Sequence, residues 1–268
     1  MRYFVEFAYN GSHFHGSQRQ PNAVSVQETM ENAFTLVLRQ PVSLTFAGRT
    51  DAGVHAEQMF AHFEITDDGL PVIGYGLRER LNSLLPASIA IRQIFPVSDD
   101  AHARFSAIAR TYEYRITTTK DPFKPLLATR VAPGLDFAAM NKAATLLLGK
   151  HDFASFCKVH TDVKTTFCTI SRAEWRYPTS NSASGPTSDS EAVFTISADR
   201  FLRNMVRAVV GTLFEVGRGK LTLEGFRQVI EAQNRCAAGQ SVPPQGLFLT
   251  HIQYPFDLPT LGDCENDK

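Results

Sequence analysis

The sequence predicts an α+β fold made of two α/β subdomains that share a sheet. Two observations predict it. Strands with a period of two interleave with helical patterns along the whole chain. The interleaving also falls into two comparable halves that break near Phe105, giving an N-terminal subdomain over residues 1–105 and a C-terminal one over 106–268. With 268 residues, 43% of them hydrophobic, the chain can bury a substantial core.

Each element has a local reason. The opening Y-F-V-E-F-A-Y alternates as a strand, and N-G-S breaks it. S-V-Q-E at Ser25–Glu28 has capping-box spacing, and Val26, Met30, Ala33 and Val37 follow at helical intervals until Pro41. Val42, Leu44 and Phe46 alternate as a strand into the connection A-G-R-T-D-A-G-V-H-A, and Met59, Ala61, Phe63 and Ile65 alternate on the way out. A helix is expected over Y-G-L-R-E-R-L-N-S-L-L, stopped by Pro86, with strands over Ile89–Phe95 and Thr111–Thr117. Asp136 is placed to cap a helix through Leu148, with Gly149 as its stop. Cys168–Tyr177 and Ala192–Ser197 read as a strand pair around a serine-rich surface loop near 178–191. Helices over Arg200–Val216 and Thr222–Ala232 precede a last strand, Leu247–Tyr254.

Composition excludes several classes. No apolar run reaches the roughly eighteen residues of a membrane span, and M-R-Y-F-V-E-F lacks the form of a signal peptide. The cysteines at 157, 168, 236 and 264 match no zinc spacing, so reduced thiols in the cytoplasm are expected. A net charge of +0 argues weakly against a general nucleic-acid binder, yet it conceals two basic regions. From Arg104 to Arg130 six basic residues face two acidic ones, and from Arg200 to Lys220 five face one. No phosphate-binding glycine loop occurs, and His13 and His15 have no further ligand nearby, so neither a nucleotide cofactor nor a metal is expected.

Three constellations bear on chemistry. Arg49, Thr50, Asp51 and His55 crowd one seven-residue connection. An aspartate in such a turn commonly caps the turn itself, whereas a nearby cation would keep it ionised for nucleophilic work. On the expected helix from Arg200, the residues Arg200, Arg203 and Arg207 fall within roughly 60° at about 100° per residue. Such a stripe is either a solvated face or a site for phosphates or a buried aspartate. In T-Y-E-Y-R, Tyr112 and Tyr114 share one strand face, either as sheet packing or as a surface for stacking an exposed base.

Taken together, these motifs resemble the bacterial tRNA pseudouridine synthase A family. The resemblance runs from about Phe4 to Tyr254, through Y-N-G-S-H-F-H-G-S-Q-R-Q, A-G-R-T-D-A-G-V-H-A, D-D-A-H-A-R-F-S-A-I-A-R-T-Y-E-Y, L-L-G-K-H-D-F-A-S-F, F-L-R-N-M-V-R-A-V-V-G-T-L-F-E-V-G and P-P-Q-G-L-F-L. It implies a pseudouridine synthase fold with a largely antiparallel central sheet and a cleft. It also implies a cofactor-free homodimer that isomerises uridine to pseudouridine at positions 38, 39 and 40 of tRNA. Asp51 then holds the place of the catalytic aspartate, Tyr112 that of the tyrosine at the target base, and Arg207 that of the aspartate's partner. Arg49 belongs with the substrate-binding residues, and Arg104, Arg110, Arg200 and Arg203 are expected at RNA phosphates. Ser17 departs from the family's usual tryptophan. Two rivals remain: an RNA binder without turnover, and a hydrolase pairing Asp51 with Asp99, Asp100 or His102.

Overall fold

A computed structural model describes residues 1–65, 75–122, 126–158, 164–177 and 191–259. Along the chain run β1 (Arg2–Tyr9), α1 (Val26–Leu38), β2 (Thr45–Phe46), β3 (His55–Glu64), α2 (Tyr75–Leu84), β4 (Ile89–Val97) and β5 (Ala109–Thr117). They are followed by β6 (Thr129–Arg130), α3 (Phe137–Thr145), β7 (Gly149–Asp152), β8 (Phe167–Arg176), β9 (Glu191–Ala198), α4 (Met205–Gly217), α5 (Leu223–Glu231) and β10 (Leu247–Gln253). The class is α+β; β1 pairs antiparallel with β3 and β4, as do β2 with β3, β5 with β9, β7 with β8 and β8 with β9, while β5 and β6 are parallel. Two compact units divide the chain: Met1–Ile108 with Leu249–Lys268, and Ala109–Phe248. The segment from Leu249 thus lies in the first unit, whereas the sequence division assigns it to the second.

In the first unit β1 pairs with β3 on one side and β4 on the other. Flanked on both edges, β1 buries Phe4, Val5 and Phe7 on both of its faces. It also buries Glu6, whose carboxylate accepts from Gln58 Nε2 (3.0 Å) and Gln93 Nε2 (2.6 Å). A buried charge is tolerated only with such partners. The expected cap of α1 is present: Ser25 Oγ accepts from Glu28 N at 3.2 Å. Buried Glu31 of α1 accepts Leu44 N at 3.0 Å, which ties the helix to the segment entering β2.

In the second unit β5 pairs with β9, β9 with β8, and β8 with β7. Asp136 caps α3 through Ala139 N (2.9 Å). That helix ends at Thr145 rather than Leu148, because Leu146, Leu147 and Leu148 close with tighter three-residue bonds. Gly149, at φ 92, then opens β7, a strand the sequence reading did not include. The apolar V-V-G-T run makes α4 the core helix, with Met205, Ala208, Val209, Val210 and Leu213 fully buried. Gly211 is required there: a Cβ would sit 1.8 Å from Gln240 O.

The helix expected from Arg200 begins at Met205, and this is a correction with consequences for the arginines. Asn204 adopts a left-handed conformation (φ 66), which stops the helix from extending back. Arg200 and Arg203 therefore precede α4, and the three-arginine stripe does not form on one helix. The loop expected at 178–191 lies outside the described residues up to 190. Among the described residues no helix is long and apolar enough to cross a membrane. Cys157, Cys168 and Cys236 are free thiols, and burial pushes Cys168 up to about 12.

Candidate active site

The Asp51 connection is held by backbone contacts to a distant stretch of chain, Gly11–Ser17. Ser17 Oγ accepts from Thr50 N at 2.9 Å, and Ser17 N donates to Thr50 O at 3.2 Å. The Thr50 hydroxyl pairs with Tyr9 Oη at 2.8 Å, so every polar group of Thr50 is engaged. On the other side of Asp51, Gly53 N donates to Phe14 O (3.4 Å) and Val54 N closes the turn onto Asp51 O (3.1 Å). Gly11 N donates to Nδ1 of buried His55 at 3.1 Å, which leaves that nitrogen as an acceptor.

Such contact demands a close backbone approach. A Cβ on Gly11 would lie 2.0 Å from Val54 O, so no larger residue fits without displacing the turn. Asp51 itself is half-buried, and Arg49 two residues earlier is exposed. The turn is shaped by backbone amides and glycines.

In the second unit the strand β5 places Tyr112 and Tyr114 on one face, as alternation predicts, but their surroundings differ. Tyr114 is fully buried; its Oη donates to Pro243 O (2.9 Å) and pairs with Thr129 Oγ1 (2.6 Å). Burial pushes its hydroxyl well above the usual tyrosine range, with the Thr129 bond and the Arg207 charge opposing. Tyr112 is half-buried, with its ring edge-on to Phe201 at 5.0 Å. The strand thus divides the pair into a core tyrosine and one at the surface.

Arg207 projects from the first turn of α4, half-buried, and its Nε donates to Val242 O at 2.7 Å. Val242 N returns a bond to Arg207 O at 3.1 Å, so the 239–242 segment clamps this turn of helix. Arg110 lies two strand positions before Tyr112 and donates to Asp199 O at 3.1 Å. Asp199 Oδ1 accepts from Arg200 N, which brings Arg110, Arg200, Phe201 and Tyr112 into one neighbourhood. Exposed Arg203 is held through its carbonyl by Lys158 N. Arg104 is not part of this group: it sits in the 101–106 turn of the first unit, over the ring of Phe105.

The sequence reading missed Tyr9, Gly11 and Ser17 as the residues that hold the aspartate loop. Their signal was the glycine-flanked run Y-N-G-S-H-F-H-G-S, a motif without an assigned role. Among the described residues no three of His, Cys, Asp and Glu come together as a metal site.

A family model described as tRNA pseudouridine synthase matches residues 143–255, most of them in the second unit and the last seven in the first. The class this defines is an RNA-modifying isomerase. Curated relatives extend the match over nearly the whole chain. A tRNA pseudouridine synthase A from Parabacteroides distasonis is 51% identical, over 96% of this chain and 97% of its own length. That from Bacteroides thetaiotaomicron is 52% identical over 96% and 92%, and that from Syntrophotalea carbinolica 40% over 92% and 93%. The chain belongs to the tRNA pseudouridine synthase A family, and it isomerises uridine to pseudouridine in tRNA.

Proposed function

We propose that the reaction takes place at positions 38, 39 and 40 of the anticodon stem-loop, with Asp51 as the nucleophile. The observation that carries this reading is the clamped loop: a carboxylate on a turn whose flanking residues are bonded on both sides to Gly11–Ser17. Loops held this firmly by a scaffold are suited to present a reactive group. The reaction breaks the N1–C1′ glycosidic bond, turns the uracil, and joins C5 to C1′. The proton on C5 is released and N1 gains one, so no atom is added and no electron is transferred. A carboxylate suffices to attack and later depart, and no cofactor is called for.

Within this reading Arg207 is a substrate-binding residue. Tyr112 packs on the uracil, which must leave the helical stack before its atoms can be reached. Arg49 binds substrate beside the aspartate, and Arg110, Arg200 and Arg203 meet phosphates. The enzyme works as a homodimer in the cytoplasm, where its substrate is.

Replacing Asp51 by Asn or by Ala tests the assignment on unmodified tRNA. Pseudouridine at 38, 39 and 40 is expected to disappear while tRNA binding persists. Undiminished product in Asp51→Asn would remove the nucleophile from this residue, and product at other positions would remove the site assignment.

A further inference from the structure

Among the described residues, the most exposed phenylalanine is also one of the most firmly presented. Phe105 is 75% exposed, on the turn at residues 101–106. Scattered exposed apolar residues are ordinary and need no explanation. What sets this one apart is the construction beneath it. His102 Nδ1 accepts from both Arg104 N (3.1 Å) and Phe105 N (3.2 Å), and His62 Nδ1 accepts from Ala103 N (3.2 Å). The turn closes on itself through Ser106 N to His102 O and His102 N to Ser106 Oγ, both 2.9 Å. From outside, Tyr254 Oη donates to Ala103 O (2.6 Å) and Arg2 Nη1 to Ala101 O (2.8 Å).

The rings follow one another, edge-on from His62 to His102 and tilted from His102 to Phe105. His62 and His102 lie 4.5 Å apart between centroids, and His102 and Phe105 4.4 Å. The Phe105 ring thus packs at a tilt against His102, and the Arg104 guanidinium lies over it, 5.6 Å from its centroid. Nearby carboxylates are engaged with the protein: Asp99 with Arg2 N, Asp100 with Ser98 Oγ, and Glu64 with the Arg2 side chain. An exposed aromatic ring held in advance, with a cation over it, suits a nucleobase and its phosphate, because little side-chain freedom is lost on contact.

Its position matters as well. β3 leaves the Asp51 loop at His55 and reaches His62 seven residues later, about 23 Å at the usual rise of a strand. The Phe105 turn therefore stands a strand's length from the candidate nucleophile within the same unit.

We propose that Phe105, flanked by Arg104, is a second RNA contact: a platform on which an unpaired base of tRNA stacks, remote from the uridine being isomerised. The proposal rests on tRNA as substrate and not on the role of Asp51, so binding without turnover tests it.

The test measures affinity for unmodified tRNA transcript and for a short hairpin carrying only the target region. Phe105→Ala is expected to weaken binding of the whole tRNA by roughly 5- to 100-fold, the range for losing one base stack. The effect should appear in Kd and KM rather than kcat, and it should shrink on the hairpin. Phe105→Trp should retain affinity, whereas Phe105→Leu, apolar but without a π face, should not. Arg104→Ala should lower the salt dependence by about one phosphate contact. The proposal is overturned if Phe105→Ala binds whole tRNA within about twofold of the parent, or if Leu serves as well as Trp. It is also overturned if Phe105→Ala alters subunit association in sedimentation without RNA, which would make the turn a contact between copies.

Discussion

The Asp51 loop and the Arg207 turn are held by opposite means. At Asp51 neither flank is in regular structure, and its geometry comes from a second loop, Gly11–Ser17, laid against it. Arg207 stands on a buried helix, and the 239–242 segment is laid against that helix. Each arrangement depends on one glycine at a point of contact, Gly11 under Val54 and Gly211 under Gln240. In the first case both partners can yield. In the second, one is a rigid core helix. Damage at Gly11 should therefore appear first in catalysis, and damage at Gly211 first in stability.

The largest expected effect is that of Gly11→Ala. With Val54 O only 2.0 Å from the new Cβ, the turn must move, and a shift of about 1 Å at a catalytic group can cost on the order of 100-fold in rate. Single-turnover kinetics should show the loss while the melting temperature falls modestly. Gly211→Ala should reverse the order, costing on the order of 3 kcal/mol in denaturant unfolding by overpacking the core helix. If both variants lose stability equally and activity in proportion, the contrast between the regions fails.

A smaller effect is expected from Ser17→Ala, which leaves the half-buried Thr50 N–H without its acceptor at about 1 kcal/mol. kcat should fall more than KM rises, because the turn loosens without losing a substrate contact. Ser17→Thr, which keeps a hydroxyl, should recover part of the rate if the pocket accepts its methyl group.

The smallest effect concerns pH and the end of β3 away from Asp51. Burial, then the charges of His102 and Arg2, push His62 from 6.5 down to about 4, with Glu64 opposing. His102 is lowered too, chiefly by burial. Between pH 6.5 and 4 the unfolded chain binds a proton at His62 that the folded chain refuses. Stability from this source is thus complete above 6.5 and is lost as pH falls toward 4. The melting temperature should decline over that window, and His62→Gln should flatten the decline.

Much of this was legible in the sequence, and unevenly so. The caps at Ser25 and Asp136 were readable because a cap is a local bond between residues three apart. The alternation of β1, β3 and β5 was readable because a strand buries side chains at a fixed period. The start of α4 was not, since Arg200–Asn204 continues a helical apolar pattern that one left-handed residue interrupts. Of the candidate site, motif order proposed Asp51, Tyr112 and Arg207, but nothing local showed what holds the loop.

The sequence by itself determined the α+β class and the family, because periodicity, caps and ordered motifs are written in near neighbours. Tertiary structure alone decided that Tyr114 belongs to the core and Tyr112 to the surface. It also decided that Arg200 and Arg203 leave the helix of Arg207, and that Ser17 and Gly11 shape the turn at Asp51. Those outcomes depend on which distant backbone atoms come within about 3 Å of one another, and hydrogen-bond geometry at that range is set only when the chain is folded.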